Sequence, residues 1–217
     1  MQPRGLFITV EGGEGVGKST NIAYVEQFLS DNGVDLVVTR EPGGTALAED
    51  IRGLLLAVRE ETVCELTELL LIFAARAQHI EEIIEPSLAA GKWVVCDRFT
   101  DATYAYQSGG RGMSAQLVRQ LEGLVQGEVR PDYTLLLDAP VDIGMARAKS
   151  RAELDRFEQE QQDFFQRVRE TYLRLARESR GRYRLIDASL PLENVQASVL
   201  IVCQELLACW DARRGLS

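Results

Sequence analysis

The sequence predicts an α/β fold, a parallel sheet covered by helices on both faces. Three observations carry that expectation. Short apolar runs alternate with segments of helical periodicity along the whole chain. The first run, Leu6-Phe7-Ile8-Thr9-Val10, leads into Gly12-Gly13-Glu14-Gly15-Val16-Gly17-Lys18-Ser19, and a helical pattern follows at once. A length of 217 residues with 46% apolar content supplies one core of ordinary size, so one domain over 1–217 is expected.

The glycine stretch fits G-x-x-x-x-G-K-[ST] in the strand–loop–helix setting that a phosphate-binding loop requires. Backbone N–H groups of such a loop converge on phosphate oxygens, and the helix N-terminus adds partial positive charge. Gly12, Gly13, Glu14, Gly15, Val16, Gly17, Lys18, Ser19 and Thr20 are therefore the candidate residues for a nucleotide triphosphate. Lys18 would reach the outer phosphates, and the Ser19 hydroxyl would hold Mg²⁺.

After the first helix, with Ile22, Val25, Phe28 and Leu29 on one face and Gly33 at its end, residues 34–39 read as a second strand. It runs into Arg40-Glu41-Pro42-Gly43-Gly44-Thr45, a turn at a strand's carboxyl end, where ligands bind in open α/β sheets. Arg40 there either faces the crevice or solvates the turn. A helix over Leu47–Leu56 carries Arg52. The pattern Thr62-x-x-Glu65 signals a capped helix start, and Pro86 a stop, around the apolar positions Leu66, Leu69, Leu70, Phe73, Ile80, Ile83 and Ile84. Arg76 shares that face with Phe73. An arginine in an apolar stripe needs an anionic or planar partner, so it serves a salt bridge or, with the aromatic ring, reads a base. His79 reads as a structural helix residue.

Lys92-Trp93-Val94-Val95-Cys96 is a buried strand ending in Asp97-Arg98. A carboxylate there either holds Mg²⁺ or makes a strand-end ion pair, with Arg98 facing the phosphates. An aromatic and amide stretch, 99–107, precedes the glycine-rich break Ser108–Gly112. Ser114 caps a structural helix that ends at Gly127, and Tyr133–Leu137 is a strand ending at Asp138. A helix from Val141 runs into Arg147-Ala148-Lys149-Ser150-Arg151, and a capping pattern at Asp155-x-x-Glu158 starts the next, which would include Phe157. This is the densest cation cluster in the chain. It is either a solvated turn or a lid, about 147–158, that closes on a phosphoryl group in flight. The last strand covers 182–187, and a helix from about Pro191 to Ala212 ends the chain.

The net charge of −9 argues against a nucleic-acid partner, and it means that any cations gathered for a polyanion must be local. No stretch approaches the length of a membrane span, and the N-terminus leaves no room for a signal peptide. Cys64, Cys96, Cys203 and Cys209 lack metal-ligand spacing and read as buried, reduced thiols of a cytoplasmic protein.

The combination of Glu11-Gly-Gly-Glu14-Gly-x-Gly-Lys-Ser, Thr39-Arg-Glu-Pro-Gly-Gly-Thr45, Asp97-Arg98, Ala105-Tyr-Gln107 with Gly110-Arg-Gly112, and Leu154-Asp-Arg-Phe-Glu158 resembles the bacterial thymidylate kinases over nearly the whole chain. The resemblance implies a P-loop NTPase three-layer fold with about five parallel strands and a small helical lid. It implies transfer of the γ-phosphoryl of ATP to dTMP with Mg²⁺, and a homodimer. Residue by residue, it implies Glu14 near the sugar 3′-hydroxyl, and Arg40, Arg52 and Arg98 around the acceptor phosphate. It places Arg76 and Gln107 on the thymine edge, with Thr103 near the base and an aromatic such as Phe73 stacked on it. Tyr106 would crowd the 2′ position. The family has two lid arrangements, with the catalytic arginine in the phosphate loop or in the lid. Gly15 and the basic lid match the second, so Arg151 is the expected transition-state arginine, with Arg147 beside it. A kinase for another nucleoside monophosphate and a P-loop switch module are the rival readings.

Overall fold

A computed structural model of the chain describes residues 4–149, 156–158, 160–179 and 181–215, with backbone alone at 149 and 213–215. Its centre is a five-stranded parallel sheet in the order β2-β3-β1-β4-β5, with β1 Phe7–Glu11, β2 Leu36–Arg40, β3 Trp93–Asp97, β4 Tyr133–Asp138 and β5 Tyr183–Asp187. The central strand β1 is buried throughout. Its side chains alternate between two cores, as a strand's period of two demands. Ile8 and Val10 join Val95, Leu135, Leu137 and Ile186 under α1 (Lys18–Asp31) and α9 (Leu192–Gly215). Phe7 points the other way, among Val94, Cys96, Phe99, Ile80 and Ile84. The sheet is thus covered on both faces, as a parallel sheet must be.

The order places β1 and β3 side by side, so the phosphate loop after β1 and the Asp97-Arg98 pair after β3 emerge at the same edge. The motif after β2 emerges there too, followed by α2 (Ala46–Leu56) with Thr45 as its N-cap, accepting from the Ala48 N–H. This is the crevice at the carboxyl ends of the strands.

Several expected boundaries move. Thr62-x-x-Glu65 is not a capping box: α3 (Glu65–His79) starts at Glu65 itself, and its N-cap is Cys64 without a side-chain cap. Pro86 does not end the helix. The chain passes through a π-helical turn, Ile80–Ile84, directly into α4 (Glu85–Ala89), with Pro86 near its start. The glycine-rich break comes later than expected: α5 (Thr100–Thr103) continues as a π-helical turn, Tyr104–Gly110, and the chain leaves helix only at Arg111–Gly112. Next, α6 (Ala115–Gln126) starts at Ser114, whose hydroxyl accepts from Gln116 N–H. After α7 (Val141–Lys149), α8 begins only at Gln162 and runs to Glu178, so Phe157 precedes it. Asp155 lies outside the described residues.

Two composition readings are corrected as well. Residues Leu192–Ala212 of α9 are long and apolar enough, at a mean hydropathy of 1.3, to cross a membrane by length and composition. One face of α9, through Val195, Val199, Cys203 and Leu206, packs into the core beside α1. Cys64 is exposed rather than buried, because the helix start leaves it on the surface.

Candidate active site

The phosphate loop follows from local sterics. Gly15 has φ 68°, a conformation disfavoured for residues with a Cβ, and a Cβ there would sit 1.8 Å from the Gly144 carbonyl oxygen of α7. Only glycine lets the two backbones meet. Lys18 is buried, and its ammonium donates to the Gly13 carbonyl at 2.9 Å and the Gly12 carbonyl at 3.3 Å. Burial, with the charge of Arg98 next, lowers its pKa. An anion in the loop would relieve both effects. Ser19 and Thr20, on the first turn of α1, are both exposed, and only Ser19 lines the same cavity.

Arg98 is the one non-glycine residue with positive φ, at 67°, among the described residues. That conformation costs on the order of 1 kcal/mol or more, and it lets the side chain turn back over the loop. Its guanidinium donates to the Gly12 carbonyl at 3.0 Å, to the Tyr172 hydroxyl at 3.3 Å and to Glu14 Oε1 at 2.6 Å, and lies 4.8 Å over the Tyr106 ring. The Tyr106 hydroxyl donates to the same Glu14 oxygen at 2.6 Å. Beneath them Glu11 is fully buried, accepting from Phe99 N–H at 2.7 Å and the Tyr172 hydroxyl at 2.8 Å. Burial, then the charge of Asp101, pushes its carboxyl up to about 8. Asp97 Oδ1 is buried without a hydrogen-bond partner. An orphaned carboxylate oxygen in a cavity that also holds Ser19 fits a hard cation that takes oxygen ligands and phosphate oxygens. The described residues contain no cluster of three or more His, Cys, Asp or Glu that could hold a metal alone, so Asp97, Ser19 and nucleotide phosphates would have to share that task.

At the other end, Arg76 is 1% exposed. Its Nε donates to Glu41 at 2.7 Å and Nη2 to the Thr103 hydroxyl at 3.0 Å, while Nη1 is buried without a partner. Glu41 also meets His79 Nδ1 at 2.9 Å, and His79 Nε2 meets the Thr39 hydroxyl at 2.7 Å. The salt bridge weighed for Arg76 is therefore present, and one arm of the fork is still uncommitted. Phe73 is 2% exposed, lies under the guanidinium at 4.8 Å and packs with Leu69 and Val118, outside the cavity lining. Ile72, one residue earlier, lines the cavity in its place, because the helical rotation turns that position toward the opening.

One cavity of about 250 Å³ gathers Glu14, Gly15, Gly17, Lys18, Ser19, Arg52, Arg76, Asp97, Arg98, Thr103, Tyr106 and Gln107. Gly12, Gly13 and Val16 line a neighbouring recess, which also includes Glu14. Arg52 is anchored by a hydrogen bond to the Pro42 carbonyl, 2.9 Å, and burial, with Arg40 next, lowers its pKa. Besides Thr20 and Phe73, two more expected residues are not brought there. Arg40 is half exposed and paired with Glu49 at 2.8 Å, because β2 ends with its last side chain turned to solvent. Arg147 donates to the carbonyls of Ala188 and Ser189 after β5, since α7 presents it to that turn. Arg151 lies outside the described residues. Sequence reasoning missed Glu11, Glu41, Glu68 and Tyr172. The first two stand inside quoted motifs, which was their available signal.

The family described as thymidylate kinase matches residues 10–199. A thymidylate kinase of Pseudomonas savastanoi pv. phaseolicola is 58% identical over 211 residues, 97% of this chain and 99% of that protein. One from Pseudomonas entomophila is 60% identical over 195 residues, 90% and 93% of the two chains. Among solved structures, thymidylate kinase from Ehrlichia chaffeensis superimposes with a TM-score of 0.74 at 36% identity, covering 93% of this chain and 99% of that one.

Proposed function

The chain belongs to the thymidylate kinase family and transfers the γ-phosphoryl group of ATP to dTMP, and we propose how its residues divide that work. The loop from Gly12 to Ser19 cradles the ATP phosphates, with Lys18 leaving the loop carbonyls for them. Asp97 and Ser19 hold Mg²⁺, which when bound neutralises charge between the phosphates. Arg98 and Arg52 receive the acceptor phosphate, Glu14 sits by the 3′-hydroxyl, and Tyr106 fills the space beside the 2′ carbon. Arg76, through its open Nη1, and Gln107 read the thymine edge, with Ile72 and Phe99 flanking the base. Arg151 joins the γ-phosphoryl from the lid, 147–158, of a single domain.

The acceptor oxygen is already anionic, so no strong base is needed. The protein's task is to bring two polyanions end to end and cancel their repulsion. The observation that carries this reading is one cavity with the loop lysine and Arg98 at one end and the half-committed fork of Arg76 at the other. A coupled assay of phosphoryl transfer from ATP across dTMP, dUMP, dCMP, dGMP and the ribonucleotides tests it. dTMP is expected to be the best acceptor, and ATP turnover indifferent to every monophosphate overturns the reading.

The protein is proposed to act in the cytoplasm as a homodimer. Leu66 and Leu70 on α3 and Leu124 on α6 are 49%, 48% and 80% exposed, on two helices that pack together. Such an apolar patch is a candidate interface. Sedimentation of the wild type against Leu70→Lys/Leu124→Lys checks it, a dimer lost in the double variant being the expected result.

A further inference from the structure

Glu68 on α3 lies outside the cavity lining yet is 1% exposed, and no role in the reaction has been given to it. All its partners are donors. Gln107 Nε2 reaches its Oε1 at 2.9 Å. Arg111 straddles the carboxylate from Nε and Nη2, both at 3.3 Å. Arg156 Nη2 lies 2.7 Å from Oε2, an ion pair without hydrogen-bond alignment. Arg156 is fixed in turn by its Nε on the Leu55 carbonyl at 2.8 Å, and Arg111 by an ion pair with Glu160.

A carboxylate that meets two guanidinium groups acts as an acceptor only. The Gln107 side chain must therefore give it the NH₂ end. Its carbonyl oxygen is left as the group Gln107 can present to the cavity it lines. An amide that could rotate would offer either polarity, and it would read nothing. We propose that Glu68 is a positioning residue that fixes the polarity of Gln107, so that the site selects a pyrimidine carrying a hydrogen on N3. Thymine offers that N–H as donor to the Gln107 oxygen. Cytosine offers a bare N3, an acceptor, and two acceptors facing each other in a dry site are repelled and left unpaired.

The inference rests on the dTMP reading of the cavity, and its test separates the two. The measured quantity is the ratio of kcat/KM for dTMP to that for 5-methyl-dCMP, which keeps the methyl group and sugar and differs at N3 and the 4-position. A wild type without preference for dTMP overturns the substrate reading and this inference together. With the preference present, Glu68→Gln can both donate and accept, so Gln107 can turn its NH₂ to the base. The ratio is expected to fall about tenfold, with Arg76 keeping the remainder. Glu68→Asp stays acceptor-only and is expected to keep most of the ratio while both rates drop. An unchanged ratio in Glu68→Gln, or an equal loss in both variants, overturns the proposal, since a merely structural carboxylate would lower both substrates alike. Should Glu68→Gln fail to fold, hydrogen exchange of the Gln107 side-chain amide in the wild type decides. Slow exchange in the free enzyme is expected, and fast exchange that slows only with dTMP overturns it.

Discussion

The two ends of the cavity hold their cations in opposite ways. At the phosphate end, Lys18 and Arg98 rest on the carbonyls of Gly12 and Gly13 and on Glu14, groups of the very loop that would receive the nucleotide. At the base end, Arg76 is fixed from behind by Glu41 and Gln107 by Glu68, both carboxylates buried at 4% exposure or less. A phosphate presents charge in many directions, so its cations can change partners as it arrives. A base edge presents a fixed pattern of donors and acceptors, so its readers must be aimed beforehand. Charge at one end is exchangeable, and direction at the other is built in.

The contrast breaks most easily at the phosphate end. Lys18→Ala and Arg151→Ala are each expected to lower kcat on the order of 10³-fold or more, with dTMP affinity little changed for Arg151→Ala. Single-turnover kinetics with dTMP titrations check both, and an unchanged kcat removes Arg151 from the transition state. Glu11 sharpens the comparison from below the loop. Its carboxyl, raised to about 8 when folded against about 4.5 unfolded, favours the folded state while protonated. That stability is fully present below pH 4.5 and is lost as pH rises through 8, on the order of 5 kcal/mol. Urea melts across this range should slope for the wild type and flatten for Glu11→Gln. At the base end, Arg76→Lys keeps the charge and loses the fork. A fall of about 10²-fold in kcat/KM for dTMP, carried by KM more than kcat, is expected from steady-state kinetics. The smallest effect belongs to Arg40→Ala. An exposed pair with Glu49 contributes about 0–1 kcal/mol, and the same assay should change by less than about threefold.

The phosphate end was also the more legible from sequence. Its residues lie within one contiguous motif and at one strand end, so local steric rules place them. The base end is assembled across the chain. Glu41 to Arg76 and Glu68 to Gln107 span 35 and 39 residues, and no periodicity announces which carboxylate meets which donor. The π-helical turns at Ile80–Ile84 and Tyr104–Gly110 defeat a reading built on 3.6 residues per turn, which is why Pro86 and the glycine stretch looked like breaks. Phe73 shows the limit of spacing arguments. It shares a helix face with Arg76 as expected, but the guanidinium stacks on it and Ile72 takes the cavity. The inner strands β1, β3 and β4 were legible as short buried apolar runs, while the edge strands β2 and β5 are partly exposed and mix polar with apolar residues.

The touch between Gly15 and Gly144 constrains what this lineage can become. An arginine installed at position 15 would drive its first side-chain carbon into the backbone of α7, at 1.8 Å from a carbonyl oxygen. A side chain at position 15 is therefore closed to any single substitution, since it would demand that α7 step aside first.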